Sequence, residues 1–246
     1  MSSAERRSPP LAVAEAAGLG VAGLLVGSVV AVLLYSLVVG IAPPISESLP
    51  AQNVLMTFGQ GVGIVAAAVF YLRVNDLGVS FLRFEWPGAK DVGWALLTTI
   101  ALFALFVIGV SIADLVGLSP TEHSVADRAE EDPRVLLALV PAAVLVTGPA
   151  EELLYRGVVQ SRLVTAFGTA TAVAVASVIF ALVHVPAYAA GSGIDASLLT
   201  TLALLFVLGA VLGAAYEYTG NLAVPMLAHG FYNAVVYGSS YLGAVA

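Results

Sequence analysis

The feature that most constrains the fold is a series of long apolar stretches, each about as long as a membrane is thick. A transmembrane helix needs about 20 consecutive, mostly apolar residues. Seven stretches fit this description: residues 17–42, 51–72, 92–118, 134–155, 168–190, 197–218 and 221–243. They predict an all-α, polytopic transmembrane helix bundle of about seven spans. The count becomes six to eight if residues 76–90 form an interfacial helix or the fourth span runs past Arg162.

Composition excludes several classes of protein. Hydrophobic residues make up 60% of the chain and charged residues only 10%, whereas soluble domains carry roughly 25% charged residues. The chain has no cysteine, which rules out a disulfide, a thiolate nucleophile and a cysteine-ligated metal. A net charge of −7 argues against nucleic acid as a partner. The expected surroundings are therefore the lipid bilayer.

The distribution of basic residues predicts the orientation, because cytoplasmic loops of membrane proteins carry an excess of lysine and arginine. A cytoplasmic N-terminus puts seven basic residues on or near that side: Arg6, Arg7, Arg73, Arg83, Lys90, Arg156 and Arg162. Only Arg128 and Arg134 fall on the other side. We therefore expect an integral protein of the cell (plasma) membrane with a cytoplasmic N-terminus, and an odd number of spans would leave the C-terminus outside.

The chain divides into three parts on this pattern. Residues 1–16 form a cytoplasmic N-terminal tail, and residues 17–132 form the N-terminal transmembrane helices. Residues 133–246 form the helices that carry the polar residues expected at depth.

Three charges interrupt the fourth apolar stretch, in "PAEELLYRGVV". A charged side chain near the middle of a membrane helix costs about 2.5–3.5 kcal/mol on insertion scales, so such residues mark functional sites. Neighbours on a helix point about 100° apart, so Glu151 and Glu152 should have different roles. Glu152 and Arg156 are four residues apart and can form an ion pair. Glu151 is then the unpaired acid, suited to act as a general base.

Two later spans carry further polar residues at depth. His184 lies in the apolar stretch "FALVHVP", where Pro186 should break or kink the helix. His229 and Asn233 lie four residues apart on the last span and point the same way. Taken singly, His184 could be a structural histidine, and the His229–Asn233 stripe could join two helices. Together with Glu151 they form a set on three spans, as in sites built inside helix bundles.

Two schemes for this set remain open. In the first, Glu151, His184 and His229 hold a metal ion such as zinc, with an open position for water. In the second, Glu151 and His184 deprotonate a water directly, while His229 and Asn233 donate hydrogen bonds to the oxyanion. Both lead to hydrolysis of a carbonyl group. The second requires the head groups of Glu151 and His184 to lie within about 7 Å, the reach of one bridging water.

These residues, in this order, resemble the three motifs of the CAAX prenyl endopeptidase and bacteriocin-processing (CPBP, abortive-infection-like) intramembrane protease family. The motifs are Glu151–Glu152 with Arg156, Phe180 with His184, and His229 with Asn233. The flanking sequences "EELLYRG" and "YEYTGNLAVPMLAHGFYN" are also similar to the family's. The resemblance covers about residues 133–237.

The resemblance implies a hydrolase, a CAAX prenyl protease-like intramembrane endopeptidase. Glu151 and His184 would activate water, His229 and Asn233 would bind the oxyanion, and Glu152 and Arg156 would support the site. Metal dependence stays open, and we favour no tightly bound metal. The substrate would be a membrane-associated protein or peptide, prenylated at a CAAX motif or not. Two alternatives use the same spans: a non-catalytic binding or immunity protein of the same fold, and a small transporter.

Two other features allow simpler interpretations. His123, in the acidic stretch "PTEHSVADRAEED", is expected to be a solvated histidine. The glycines of "GLGVAGLLVG", residues 18–27, would let another helix approach closely. That helix could belong to the same chain or to a second copy, so the protein is expected to be a monomer or a homodimer.

Overall fold

The structure, a computed structural model, describes residues 8–121, 123–189 and 193–245, and every regular element in these ranges is helical. Arg6 and Arg7 lie outside the described residues. We number the helices α1 to α9 in chain order, and short 3₁₀ turns follow α1 (Pro43–Glu47) and α2 (Val79–Leu82). The helices are α1 (Pro9–Ile41), α2 (Leu49–Val74), α3 (Ala89–Leu115), α4 (Val125–Glu131), α5 (Arg134–Phe167), α6 (Thr169–Val183), α7 (Val185–Tyr188), α8 (Ala196–Thr219) and α9 (Ala223–Val245).

Each of the seven predicted apolar stretches contains a helix among its described residues, which confirms the all-α class. Five described helices, α1, α2, α3, α5 and α8, are long and apolar enough to cross a membrane. Helix α6 is apolar but has only 15 residues, and α9 is not among the five. The count of about seven spans is therefore not confirmed. Residues 76–90 form no separate interfacial helix: the segment contains the short turn Val79–Leu82, and its last two residues are the start of α3.

The largest differences from the predicted boundaries occur in α1, α5 and α6. Helix α1 begins at Pro9, not at residue 17, because prolines occupy its first two positions, where no intrahelical N–H bond is needed. Helix α5 continues past residue 155 to Phe167 and stops before Gly168, whose φ of +80° ends the helix. Helix α6 ends at Val183 because Pro186 has no N–H to continue the helical bonding.

The segments that connect the helices lie at two opposite ends of the bundle. We call the end where residues 116–133 join α3 to α5 the loop end. We call the end where residues 75–88 join α2 to α3 the linker end. At the linker end the amide of Leu222, between α8 and α9, donates to the carbonyl of Arg83 at 2.9 Å. Four predicted cytoplasmic residues lie at this end: Arg73, Arg83, Lys90 and Arg162.

The glycines of α1 are used inside the chain. An added Cβ on Gly63 of α2 would lie 2.6 Å from Cα of Gly27, so the two backbones touch there. Gly20 and Gly23 face side chains of α6 and α5, namely Ile179 and Leu154. The predicted close approach is therefore made within one chain, and most of this glycine face is not free for a second copy.

Helix α5 lies at the centre of the bundle. Its residues Leu154, Val158, Val159 and Leu163 are fully buried in the main apolar cluster. That cluster also contains residues of α1, α2, α6 and α8. A helix surrounded in this way can hold polar side chains away from both lipid and bulk water.

Candidate active site

Two π-helical segments of α5 flank the paired acids. The segments are Ala143–Thr147 and Leu153–Gln160, and the α-helical turn Gly148–Glu152 lies between them. Such wide turns are rare and occur frequently at functional sites. Within the α-helical turn, the side chains of Glu151 and Glu152 point into different surroundings, as expected for neighbours on a helix. The side chain of Glu152 is fully buried, whereas that of Glu151 is 16% exposed.

Glu152 is held by two basic side chains at one oxygen. Its Oε1 accepts from Nη1 of Arg156 at 2.9 Å and from Nδ1 of His229 at 2.8 Å. Arg156 is itself buried, and its Nη2 donates to the carbonyl of Gly209 at 3.0 Å. Its guanidinium also lies 4.5 Å from the ring centre of Phe180. The predicted pair therefore forms as a buried, hydrogen-bonded ion pair, the arrangement that burial of charge requires.

The contact between Glu152 and His229 depends on two glycines where α5 meets α9. A Cβ on Gly148 would lie 2.7 Å from the carbonyl oxygen of Met226, and one on Gly230 would lie 2.8 Å from Cα of Val144. The two backbones are therefore in direct contact one residue from His229. This approach places the ring against Glu152, 77 residues away in the chain.

We expect Gly230→Ala to separate α5 from α9. The new methyl group would meet backbone atoms of Val144 that have no rotamer to move into. Overpacking of this kind costs about 1–3 kcal/mol, and the His229–Glu152 contact should lengthen. Thermal unfolding in detergent measures the first effect. Gly238→Ala is the matched control on the same helix, because its Cβ would meet nothing within 4 Å. Equal unfolding temperatures for the two variants would contradict the close packing.

Glu151 pairs with His184, at the end of α6. Glu151 Oε2 and His184 Nε2 are 3.9 Å apart, well within the expected limit of about 7 Å. His184 Nδ1 lies 2.7 Å from the carbonyl oxygen of Phe180. Because a carbonyl only accepts, Nδ1 carries a proton, and in the neutral ring Nε2 then presents its lone pair toward Glu151. Two acceptors this far apart can share one water molecule that donates to both.

Phe180 connects the two histidines. Its ring centre lies 4.5 Å from that of His184 and 6.1 Å from that of His229. Phe180 therefore holds α6 against α9 at the level of the acids. Asn233, one turn beyond His229, is partly buried and makes no hydrogen bond to any described residue. The structure thus brings together Glu151 with His184 and Glu152 with His229, and the amide of Asn233 has no hydrogen-bond partner within the described ranges.

The same residues do not fit a metal centre. No three His, Asp or Glu side chains in the described ranges are grouped so that they could hold a metal ion. The ligand set Glu151, His184 and His229, expected if zinc were bound, is therefore not assembled.

Sequence reasoning missed a further buried polar residue on α5, Gln160. Gln160 donates through Nε2 to the carbonyl of Gly213 at 3.1 Å and to Glu217 at 2.8 Å. Glu217 in turn bridges to Arg83 of the linker at 2.8 Å. The signal was present, because Gln160 follows Arg156 by four residues and therefore shares its face. Gly209 and Gly213 of α8 have the matching spacing and leave room for the two long side chains.

His123 is not solvated as expected. Its ring packs edge-on against Tyr188 with centres 5.0 Å apart, and its Nδ1 accepts from the amide of Val125 at 3.1 Å. The neighbouring amide of Ser124 donates to the carbonyl of Ala187 at 3.0 Å. Burial, helped by nearby His184, lowers the pKa of His123 to about 4. The segment around His123 packs against α7 because the backbone amides of Ser124 and Val125 find hydrogen-bond acceptors there, in Ala187 and in the His123 ring.

We expect the docking of this segment to weaken as the pH falls from 6.5 to 4. An undocked histidine takes up its proton near pH 6.5, whereas the docked ring does so only near pH 4. Protonation within this window therefore favours the undocked state, and docking is fully stable only above it. Protonated Nδ1 also cannot accept from Val125. Amide hydrogen exchange at Ser124, corrected for intrinsic rate, measures docking.

His123→Phe is the control for this pH effect. Phenylalanine keeps an aromatic contact with Tyr188 and cannot titrate, so exchange at Ser124 should no longer depend on pH in this window. The same pH dependence in both proteins would assign the effect to another group, of which His184 and Tyr188 are the nearest.

Comparison with known protein families confirms the resemblance inferred from the motifs. Residues 133–235 match the family described as type II CAAX prenyl endopeptidase Rce1-like. This segment starts just before α5 and ends within α9, and it contains all six predicted site residues: Glu151, Glu152, Arg156, His184, His229 and Asn233. Neither the curated proteins nor the solved structures compared with the chain gave a match. Over residues 133–235, this chain is therefore similar to the family described as type II CAAX prenyl endopeptidase Rce1-like.

Proposed function

We propose that the protein is an intramembrane endopeptidase whose nucleophile is a water molecule activated by Glu151 and His184. The observation that carries this proposal is the pairing of the two side chains. Oε2 of Glu151 and Nε2 of His184, a lone-pair acceptor in the neutral ring, lie 3.9 Å apart, inside a segment that matches a protease family. Both groups accept hydrogen bonds, so a shared water is held by its two hydrogens. Its oxygen lone pairs are then free to attack a carbonyl carbon.

The reaction then follows from the placement of these groups. Glu151 takes a proton as the water oxygen bonds to the scissile carbonyl carbon, and the carbonyl oxygen becomes an oxyanion. The tetrahedral intermediate collapses with breakage of the C–N bond, and the proton held by Glu151 passes to the departing amine. Atoms balance, since one water is consumed and each product gains one new terminal group. A positioned base of this kind contributes about 10²–10⁴-fold to the rate.

The oxyanion would be bound on the α9 side. The amide of Asn233 is an N–H donor without a described protein partner, and His229 lies one turn away. His229 donates through Nδ1 to Glu152, so its Nε2 can donate only when the ring carries both protons. Glu152 supports that doubly protonated form. Arg156 fixes the position of Glu152, and the two supporting residues thus act through His229.

The substrate class follows from the family and the surroundings of the site. We infer a membrane-associated protein or peptide, with a prenylated CAAX-type C-terminus as the first candidate. The catalytic part would be residues 133–246. The protein would lie in the plasma membrane with its N-terminus in the cytoplasm, because four basic residues gather at the linker end. It would act as a monomer or a homodimer.

Cleavage of a farnesylated CAAX reporter peptide in detergent tests the proposal. Mass spectrometry should detect two products, a peptide ending in the prenylated cysteine and the free C-terminal tripeptide. The same peptide without the farnesyl group is the control and should be cleaved at a much lower rate. No cleavage by folded protein would remove the CAAX substrate. Equal cleavage of both peptides would remove the prenyl requirement.

We expect cleavage to survive the removal of divalent metals. The side chains that could ligate zinc are not grouped as a metal site among the described residues, and no step above passes through a metal. Protein dialysed against EDTA and then assayed with 1,10-phenanthroline should keep most of its activity. Loss of activity that added zinc restores, without a change in the unfolding temperature, would show that a metal takes part.

A further inference from the structure

Arg83 has an unusual backbone conformation in the segment that joins α2 to α3. Its φ is +45° and its ψ is +45°, in the left-handed region that residues with a Cβ rarely adopt. Among the described residues other than glycine, only Asp76 of the same segment shares a positive φ. Such a conformation persists where surrounding contacts hold it, and these positions cluster at functional sites. The contacts of Arg83 therefore indicate what the strained turn is for.

The backbone and the side chain of Arg83 both bond to the end of α8 and the turn that follows it. The carbonyl of Arg83 accepts from the amide of Leu222 at 2.9 Å. Its Nε donates to the hydroxyl of Tyr216 at 3.1 Å, and its Nη2 donates to Glu217 at 2.8 Å. The guanidinium carbon also lies 4.0 Å from the ring centre of Tyr216. We call Arg83, Tyr216 and Glu217 the linker clasp.

The linker clasp is bonded to the part of α5 that carries Arg156. The hydroxyl of Tyr216 lies 3.2 Å from that of Ser161, which donates to the carbonyl of Arg156 at 3.1 Å. Glu217 accepts from Gln160 at 2.8 Å. Tyr216, Ser161 and Gln160 are buried, so bulk water does not replace a bond that is lost among them. A movement of Arg83 would therefore be passed on to the backbone of α5.

The segment that contains Arg83 also fixes the start of α9. Oδ1 of Asn221 accepts from the amide of Glu85 at 3.1 Å and from the amide of Ala223 at 3.0 Å. Ala223 is the first residue of α9, and His229 follows on the same helix. The linker is thus bonded directly to the turn before α9 and, through α8, to α5.

We propose that Arg83 is a positioning residue, whose linker clasp sets the register of α8 and α9 against α5 and thereby holds Arg156 and His229 on Glu152. This inference rests on the proposed hydrolytic function. The two basic side chains that bond to Glu152 come from α5 and α9, the two helices that the linker joins. A displacement of about 1 Å within a site can cost about 10²-fold in rate. Arg83 can therefore govern kcat without touching the substrate.

Arg83→Gly separates the linker clasp from the backbone conformation. Glycine adopts a positive φ without strain, so this variant keeps the turn and loses the guanidinium. We expect kcat on the farnesylated reporter to fall by about 10²-fold, with KM changed less than about threefold, because the groups that position the reaction are displaced while the substrate contacts remain. Unfolding curves in the same detergent set an assay temperature at which every variant is folded.

Asp76→Gly is the matched control. Asp76 has a φ of +52° in the same segment, and its exposed side chain lies outside the linker clasp. The change relieves the same backbone strain, so both kinetic constants should stay within about threefold of the wild type. A kcat for Arg83→Gly equal to that for Asp76→Gly, or a loss confined to KM, would overturn the inference.

Arg83→Lys tests the role by conservative replacement. Lysine keeps a cation for Glu217 but lacks the planar fork that reaches Tyr216 as well. This variant should fold and show a kcat between those of the wild type and Arg83→Gly. A wild-type kcat in Arg83→Lys, or one as low as in Arg83→Gly, would contradict a role for the whole clasp. Failure of the wild type to cleave any reporter would instead overturn the proposed function, so the two failures are distinguishable.

Discussion

Glu151→Gln is expected to lower kcat by about 10²–10⁴-fold without loss of folding. Removal of a general base has this effect because glutamine cannot take the proton from water. The side chain of Glu151 makes no hydrogen bond to a described residue, and its closest ionisable neighbour, His184, is 3.9 Å away. The unfolding temperature should therefore stay close to that of the wild type. Steady-state cleavage of the reporter and thermal unfolding in the same detergent provide the two measurements.

His184→Gln provides a graded comparison for the base. It removes the second acceptor of the bridging water and leaves Glu151 in place, so we expect a smaller loss of kcat than for Glu151→Gln. If Glu151→Gln retained more than about a tenth of the wild-type kcat, the effect would be below the range of a general base. The nucleophile would then have to be activated elsewhere.

Arg156→Met is expected to destabilise the protein by about 3–5 kcal/mol, because it removes the permanent cation of the buried pair and leaves the charge of Glu152 with His229 as its one remaining side-chain partner among the described residues. Both side chains of this pair are almost fully buried, at 2% and 0% exposed. The change also removes the donor to the carbonyl of Gly209. Chemical or thermal unfolding in detergent measures the loss.

Two further variants make this second prediction specific. Glu152→Gln combined with Arg156→Met removes both charges, and the double variant should recover part of the stability because no lone charge is left. Arg162→Met is the matched control on the same helix. Its side chain is 26% exposed and its nearest acid, Glu15, is 3.9 Å away, so it should cost no more than about 1 kcal/mol. Equal losses for Arg156→Met and Arg162→Met would contradict the buried pair.

The two predictions assign different roles to adjacent acids. Glu151 should govern the rate with little effect on folding, whereas Glu152 and Arg156 should govern folding first. The difference arises from burial, since Glu151 remains 16% exposed and Glu152 is fully enclosed. Adjacent residues on a helix face different surroundings, and this is how one turn of α5 can combine reactivity with support.

The sequence by itself determined the features that depend on local chemistry. Apolar length specifies where helices lie, because backbone groups in lipid must bond within their own segment. Spacing specified that Glu152 and Arg156 could pair, since a helix brings residues four apart together. The sequence also predicted that α6 would break or kink near Pro186, because proline lacks the N–H that continues the helical bonding. The ordered motifs predicted a resemblance to the CAAX prenyl endopeptidase family, which the family match over residues 133–235 confirms.

Only the tertiary structure decided which distant groups meet. His229 contacts Glu152 because Gly148 and Gly230 let two backbones touch, and neither glycine differs locally from other glycines of the chain. Gln160 is polar inside the bundle because Gly213 leaves room for it on a helix 53 residues away. His123 turns inward because α7 offers a carbonyl and a ring. Contacts of this kind depend on packing between helices, and the composition of any single segment does not contain them.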